Sequence, residues 1–166
     1  MEQDAAKQAG VEELTFDPRR MTRIYDEVLK SRRDLVNGAV DRVMAAVRTM
    51  PCAREHMHEV EVALTEALAN AVIHGNREDP SKRVRLSAWC AEQEHLLLAV
   101  TDEGEGFDPA CLPDPTLAEN IFATHGRGIY MISKLMDGAE YRLGGRQVLM
   151  RKRVARFPDE GEADSS

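Results

Sequence analysis

The stretch EALANAVIHGN, residues 66–76, decides how the rest of the chain is interpreted. Good helix formers run from Arg54 onward with no proline or glycine before Gly75, which predicts a helix ending at that glycine. Glu66 and Asn70 stand four residues apart and therefore share one helix face, away from the apolar stripe. The stripe recurs at three- and four-residue steps: Met57, Val60, Leu64, Ala67, Leu68 and Ala71.

The face that carries Glu66 and Asn70 has unusual neighbours. It is flanked by the apolar residues Val62, Ala63 and Ile73 rather than by more charge. A carboxylate and an amide among small apolar residues suggest a pocket wall. On this helix alone a solvent-exposed face is the commoner explanation, because charged residues are mostly exposed. Two glycine motifs further along the chain change that balance.

Length, charge and cysteine content limit the possible functions. The 166 residues suit one domain with a sizeable core. With 22 basic and 29 acidic residues the net charge is −7, which argues against direct nucleic-acid binding. Cys52, Cys90 and Cys111 form neither a disulfide framework nor a zinc pattern, so we expect a cytoplasmic protein. We also expect no membrane association, since no apolar run approaches a membrane span and no signal peptide is evident.

The N-terminal half is expected to be mainly helical. A short edge strand is predicted over Val11–Phe16, followed by a helical segment over Arg19–Met50 with a break near Gly38. The segment contains a clean apolar stripe, and Pro51 ends it. His56 and His58 are two apart and point different ways on a helix, so we expect no metal site there.

The C-terminal half is expected to supply the sheet. Residues 84–90 alternate apolar and polar, and Leu96–Thr101 is a more apolar strand, so the two predict a hairpin. A helix over Gly126–Met136 precedes a second hairpin, residues 139–143 and 147–154, around Gly144-Gly145. The predicted fold class is α+β: a two-layer sandwich with helices on one face of a mainly antiparallel sheet. We expect one folded domain over residues 11–154, between a flexible N-terminus (1–10) and a disordered acidic tail (155–166).

The second motif, TDEGEGFD at residues 101–108, follows an apolar strand. Gly104 and Gly106 lack the Cβ that would block a flat ring, and Asp102 can accept hydrogen bonds from an exocyclic amine. An acidic glycine-rich turn is also common without any ligand. The spacing matches neither a calcium loop nor the dinucleotide-binding glycine motif.

The third motif, HGRGI at residues 125–129, opens the predicted helix. Gly126 and Gly128 leave backbone N–H groups free at a helix N-terminus, where the dipole favours phosphate. Arg127 can add a bidentate contact to phosphate oxygens. Alone, this motif is equally typical of a flexible helix entry.

Together the three motifs resemble the GHKL ATPase superfamily, which includes gyrase, heat-shock chaperones and histidine kinases. Residues 66–76 match its N box, and residues 101–108 and 125–129 match its two glycine boxes. Within that group the chain is most similar to the anti-sigma-factor serine/threonine kinases of bacterial partner-switching systems. The resemblance covers roughly residues 36–153 and implies the GHKL ATP-binding fold.

The resemblance implies a role for each motif residue. Glu66 would be the general base, and Asn70 would be the Mg²⁺ ligand, with the metal bridging the phosphates of ATP. Asp102 would accept the adenine amine, and His74 would line the ribose or phosphate side. The glycines of the two boxes would give room to the ring and, with Arg127, contact the phosphates: Gly104, Gly106, Gly126 and Gly128. Residues 108–125 would form a lid.

The function implied is that of a Mg-ATP-dependent protein serine/threonine kinase. It would phosphorylate an anti-sigma-factor antagonist and sequester a sigma factor or a similar effector, thereby regulating transcription. A non-catalytic ATP-gated binding module and a detached histidine-kinase catalytic domain remain as alternatives. A homodimer is compatible with the resemblance, although no apolar stripe requires one. One departure is visible: Arg146 follows Gly144-Gly145 where relatives often carry a threonine, which puts that nucleotide contact in doubt.

Overall fold

The architecture is given by a computed structural model, which describes residues 21–50, 56–91, 95–111 and 124–153. Within these ranges the helices are α1 (Val36–Arg48), α2 (Met57–Ala69) and α3 (Thr124–Leu135). A π-helical turn, Asn70–Gly75, continues α2, and short 3-10 turns occupy Arg33–Leu35 and Pro109–Cys111. The strands are β1 (Met21–Lys30), β2 (Arg83–Ala91), β3 (His95–Asp102), β4 (Gly138–Arg142) and β5 (Gln147–Arg153).

The strands form one five-stranded sheet in the order β1-β2-β3-β5-β4. Every neighbouring pair is antiparallel. β3 lies at the centre, and its last residue, Asp102, pairs with Val84 at the start of β2. Along the chain, α3 and β4 lie between β3 and its sheet neighbour β5.

The three helices pack on one face of this sheet. Alternate residues of the strands point toward them and join the helices in one buried core, as period-two side-chain alternation requires. The strand residues of this core are Leu29, Val84, Leu86, Ala88, Leu96, Leu98, Val100, Val148 and Met150. On the opposite face a small cluster forms around Ala99, Leu149 and Trp89. The predicted α+β two-layer fold is therefore confirmed.

The prediction of a helical segment over Arg19–Met50 was wrong in its first part. Residues 21–30 form strand β1, which pairs with β2 along its length, from Met21 opposite Ala91 to Lys30 opposite Arg83. An irregularity between Arg23 and Tyr25 shifts the pairing register. That irregularity breaks the apolar-polar alternation by which a strand is recognised in a sequence. Only the second part is helical, as α1. The predicted break near Gly38 was also wrong, because α1 runs through that glycine without interruption.

Charged residues of β1 are held by partners distant in sequence. Asp26 accepts hydrogen bonds from Arg85 at 2.7 and 3.0 Å and from the Ser87 hydroxyl at 2.7 Å. Glu27 accepts two from Arg42 of α1, at 2.8 and 3.2 Å. These pairs explain why a highly charged segment forms a strand, because its charges are matched across the sheet and by the neighbouring helix.

The remaining element predictions are confirmed within the described residues. The helical segment made by α2 and its π turn ends at the predicted Gly75, both hairpins pair as expected, and the third motif opens α3. The predicted strand over Val11–Phe16, the terminal segments 1–10 and 155–166, and most of the proposed lid lie outside those residues. In the described part of the chain, no helix has the length and apolar character needed to cross a membrane.

Candidate functional site

The end of α2 changes its winding where the site begins. The α-helix gives way at Asn70 to a π turn, and the Asn76 N–H donates to the Ala71 carbonyl at 2.8 Å, five residues back. π-helical turns are frequent at functional sites because the extra residue per turn redirects side chains. Asn70 and His74, predicted as site residues, both line the cleft next to this turn.

Asp102 lies against the end of that turn. A Cβ added at Gly75 would stand only 2.5 Å from the Asp102 carboxylate, so the close approach requires glycine at this position. The Gly104 N–H donates to the same carboxylate at 2.8 Å. Burial raises the pKa of Asp102, although the Gly104 N–H and the positive charge of Arg146 act in the opposite direction. A half-buried carboxylate in a cleft is a typical ligand-recognition group.

The two glycines of the second motif are fixed by backbone contacts. A Cβ on Gly104 would stand 2.0 Å from the Gly75 carbonyl oxygen, and one on Gly106 would stand 2.0 Å from the Gly144 oxygen. Gly106 also has a positive φ of 77°. The Phe107 N–H donates to the Gly144 oxygen at 2.9 Å. The loop that contains these glycines therefore packs between the end of the π turn and the β4–β5 hairpin. These backbone contacts require glycine at both positions, in addition to the predicted need for room beside a flat ring.

The start of α3 contacts the polar face of α2. A Cβ on Gly128 would lie 2.9 Å from the Asn70 amide nitrogen and 3.0 Å from a Glu66 carboxylate oxygen. Glu66, Asn70 and Gly128 come from two motifs far apart in sequence, and the fold brings them together. Gly126 is buried in the same helix, whereas Arg127 is exposed on it. Neither of these two residues lines the cleft.

The motifs surround one open cleft with an empty volume of about 670 Å³, part of which is open to solvent. Four predicted site residues line the cleft: Asn70, His74, Asp102 and Gly106. Its apolar wall comes from both layers of the sandwich: Ala67, Ala71, Val100, Ile129, Ile132 and Val148. An apolar wall with a few polar groups suits a flat ring carrying polar substituents.

Two cations at the cleft were not predicted as site residues. Arg77 follows the π turn with φ 54° and forms an exposed ion pair with Glu105 at 3.2 Å. Arg146 lines the cleft from the β4–β5 hairpin, and its Nε donates to the Leu143 carbonyl at 3.0 Å. Arg77 directly follows the first motif and Arg146 directly follows Gly145 in the sequence, and these positions are the signal that could have identified them. Guanidinium groups are donors suited to phosphate, and both of these stand in a cleft whose lining also includes the acidic residues Asp102 and Glu105.

Tyr141 is a further lining residue that sequence reasoning treated only as part of a strand. Its ring meets that of Phe107 edge-on, with centroids 5.4 Å apart. Burial raises the pKa of Tyr141 to about 12. Its shielded hydroxyl has no hydrogen-bond partner within the described structure. The in-and-out alternation of β4 indicates its inward orientation, but nothing in the sequence indicates the unpaired hydroxyl.

The chemistry of these residues fits a Mg-nucleotide. No group of three or more His, Cys, Asp or Glu side chains that could hold a metal ion occurs in the part of the chain that the structure describes. Mg²⁺ commonly takes one or two protein oxygens and completes its octahedron with water and substrate phosphates. The Asn70 amide oxygen could supply such a ligand beside the Gly128 backbone.

The order of elements, with three motifs around one cleft, defines a histidine kinase-like domain. The family model described as "Histidine kinase-like ATPase domain" matches residues 29–152. The chain belongs to that family.

Curated relatives and a solved structure are similar to this chain. An anti-sigma F factor of Clostridium perfringens is 28% identical over 110 residues, covering 60% of this chain and 74% of that protein. One from Shouchella clausii is 34% identical over 64 residues, covering 39% and 43%. The serine-protein kinase RsbW of Oceanobacillus iheyensis is 26% identical over 108 residues, covering 61% and 68%. The structure of the RsbU and RsbW domains of a Mycobacterium tuberculosis protein aligns with a TM-score of 0.56 at 15% identity, covering 80% of this chain and 32% of that one.

Proposed function

We propose that this protein is a cytoplasmic, Mg-ATP-dependent protein serine/threonine kinase of the partner-switching kind. It would phosphorylate a serine or threonine of an antagonist protein and, in its other state, sequester a sigma factor or a similar effector. Membership of the histidine kinase-like ATPase family supports ATP as the bound nucleotide. Similarity to proteins named anti-sigma F factor and serine-protein kinase RsbW supports the substrate class and the partners.

The observation that carries this proposal is the meeting of Glu66 and Asn70 at Gly128. A Cβ at Gly128 would stand 2.9 Å from the Asn70 amide nitrogen and 3.0 Å from a Glu66 carboxylate oxygen, so glycine lets the start of α3 lie close to both side chains. A carboxylate next to a phosphate-binding backbone can accept a proton from an attacking hydroxyl. A solvent-exposed helix face would not be covered by the start of another helix.

Each remaining residue has a role in this proposal. Asp102 accepts a hydrogen bond from the exocyclic amine of adenine, and the apolar wall takes the ring. Asn70 supplies an oxygen to Mg²⁺, which when bound neutralises phosphate charge and orients the phosphates for in-line transfer. Arg77 and Arg146 stand at the cleft edge for the phosphates, whereas Arg127 is exposed on α3 and does not line the cleft.

The discriminating experiment is phosphoryl transfer to a protein partner. The full chain is incubated with Mg²⁺ and ATP labelled at the γ-phosphate, together with an antagonist protein recovered by pull-down and mass spectrometry. We expect label on a serine or threonine, stable to acid. Nucleotide binding without transfer would favour the ATP-gated binding module. An acid-labile product would favour histidine phosphorylation and contradict the proposal.

A further inference from the structure

Asn76 is a fully buried polar residue immediately after the π turn, with 0% of its surface exposed. It does not line the cleft. Its side-chain Nδ2 donates to the Arg83 carbonyl at 2.9 Å, and its Oδ1 accepts from the Glu103 N–H at 2.9 Å. Both halves of the amide are therefore satisfied by backbone groups of other segments, as burial requires.

These contacts belong to a closed ring of three hydrogen bonds. The Arg83 N–H donates to a Glu103 carboxylate oxygen at 2.6 Å, which completes the ring Asn76–Arg83–Glu103. The three residues come from the end of the π turn, the first residue of β2 and the loop after β3. We call this ring the amide clamp. It fixes the relative positions of the three segments at the point where the second motif begins.

Only an amide side chain satisfies both partners of Asn76. The Arg83 carbonyl needs a donor and the Glu103 N–H needs an acceptor, and asparagine presents one of each. An aspartate would keep the acceptor but place a carboxylate oxygen against the Arg83 carbonyl. A leucine of similar size would leave both backbone groups unpaired in the interior.

The clamp acts on the residue beside Glu103. Asp102 is held on one side by its own N–H, which donates to the Arg146 carbonyl at 2.9 Å. On the other side the clamp holds the next peptide unit. The clearance is small, because the Asp102 carboxylate lies directly over Gly75 and the Gly104 backbone lies directly over the Gly75 carbonyl. A movement of the π turn, which Asn76 follows, would therefore also move the Asp102 carboxylate.

We propose that Asn76 is a positioning residue that places the Asp102 carboxylate for recognition of the purine amine. This inference rests on the proposed function, since it assumes that the cleft binds ATP through Asp102. A hydrogen bond to a charged acceptor loses its value when the acceptor is displaced by about 1 Å. Asn76 would thereby control base selectivity without touching the base.

The test compares ATP with inosine triphosphate (ITP), whose ring carries a carbonyl oxygen in place of the amine. Affinities are measured by titration calorimetry with the full chain. The unaltered protein should prefer ATP, because the carbonyl oxygen of ITP would face the Asp102 carboxylate. In Asn76→Asp the ratio of the two affinities should fall roughly tenfold, the value of one hydrogen bond to a charged group. Asn37→Asp, an exposed asparagine of α1, is the matched control and should keep the ratio.

A purely structural role gives a different result. If Asn76 only stabilised the fold, Asn76→Asp would lower the melting temperature and weaken both nucleotides equally, and the unchanged ratio would overturn the inference. Glu103→Ala opens the same ring at an exposed position and serves if Asn76→Asp does not fold, with a fall in the ratio again expected. Equal affinities of the unaltered protein for ATP and ITP would also overturn it. Absence of ATP binding in the unaltered protein would instead overturn the proposed function.

Discussion

A carboxylate oxygen of Glu66 lies 3.0 Å from the point that a Cβ would occupy at Gly128. Such a distance is closer than side chains normally allow, so the start of α3 can lie on the polar face of α2 only with glycine at that position. The contact joins the first and third sequence motifs. Through this contact the first and third motifs form parts of one site.

Gly128→Ala should damage that contact. The new methyl group would meet the Asn70 amide at 2.9 Å as well as Glu66, and both side chains would have to move. We expect ATP affinity to fall by roughly tenfold or more, as overpacking by 1–3 kcal/mol implies. Calorimetric titration of the purified variant measures this, and undiminished affinity would show that the approach of the two helices is irrelevant to binding.

Gly38→Ala is the matched control for that substitution. A Cβ at Gly38 would meet only the end of the flexible Arg42 side chain, at 3.3 Å. Alanine is favoured over glycine inside a helix by about 1 kcal/mol, so this variant should melt about 2–4 °C higher. Its ATP affinity should be unchanged. A lower melting temperature would mean that α1 is packed more tightly there than the structure indicates.

Glu66→Gln should separate chemistry from binding. The amide keeps the size of the carboxylate but cannot accept a proton, so we expect transfer to the partner protein to fall by about 10²–10⁴-fold with nearly unchanged ATP affinity. Single-turnover transfer and calorimetry on the same preparation give the two quantities. Glu61→Gln, five residues earlier on α2, is the control. Parallel losses of binding and transfer in Glu66→Gln would refute the base assignment.

Tyr141→Phe should stabilise the ligand-free protein. The Tyr141 hydroxyl is buried without a partner in the described structure, and an unpaired buried hydroxyl costs about 1–3 kcal/mol. Phenylalanine keeps the edge-on contact with Phe107. We expect the free energy of unfolding in urea to rise by about 1 kcal/mol. A decrease of that size would show that the hydroxyl has a partner in solution.

Asp26 should make stability depend on acid pH. Hydrogen bonds from Arg85, and then from Ser87, lower the pKa of Asp26 from 3.8 to about 2 in the folded protein. Because the folded pKa is the lower one, the stabilisation is present above pH 3.8 and is lost as the pH falls toward 2. Asp26→Asn should therefore be less stable than the unaltered protein at pH 7, with the difference shrinking toward pH 2. Urea unfolding across that range tests this, with exposed Asp41→Asn as the control; a gap independent of pH would contradict it.

The parts that the sequence predicted correctly depend on local patterns. The α2 stripe and the two hairpins repeat at the periods of their elements, and Gly75 ends its helix where expected. β1 was missed because its pairing irregularity near Tyr25 removes the alternation. The amide clamp of Asn76 was missed because both of its partners are backbone groups of other segments, and backbone partners leave no trace in a sequence.

In the candidate site, too, some features follow from local sequence motifs and others depend on tertiary packing. The motifs predicted that Asn70, His74 and Asp102 would share a cleft, because ordered motifs carry information about chemistry. They did not predict the exposed position of Arg127 or the inclusion of Tyr141, since both depend on how α3 and β4 pack against the rest of the domain.

Titration of the purified full chain with ATP in the presence of Mg²⁺ is the most direct measurement of the central claim, that three separated segments form one nucleotide site. We expect saturable heat with one nucleotide per chain. Asp102→Asn and Gly128→Ala should each weaken binding, because Asp102 lines the cleft and a side chain at Gly128 would displace Asn70, which also lines it. No heat with ATP would contradict the claim, as would binding that neither substitution changes.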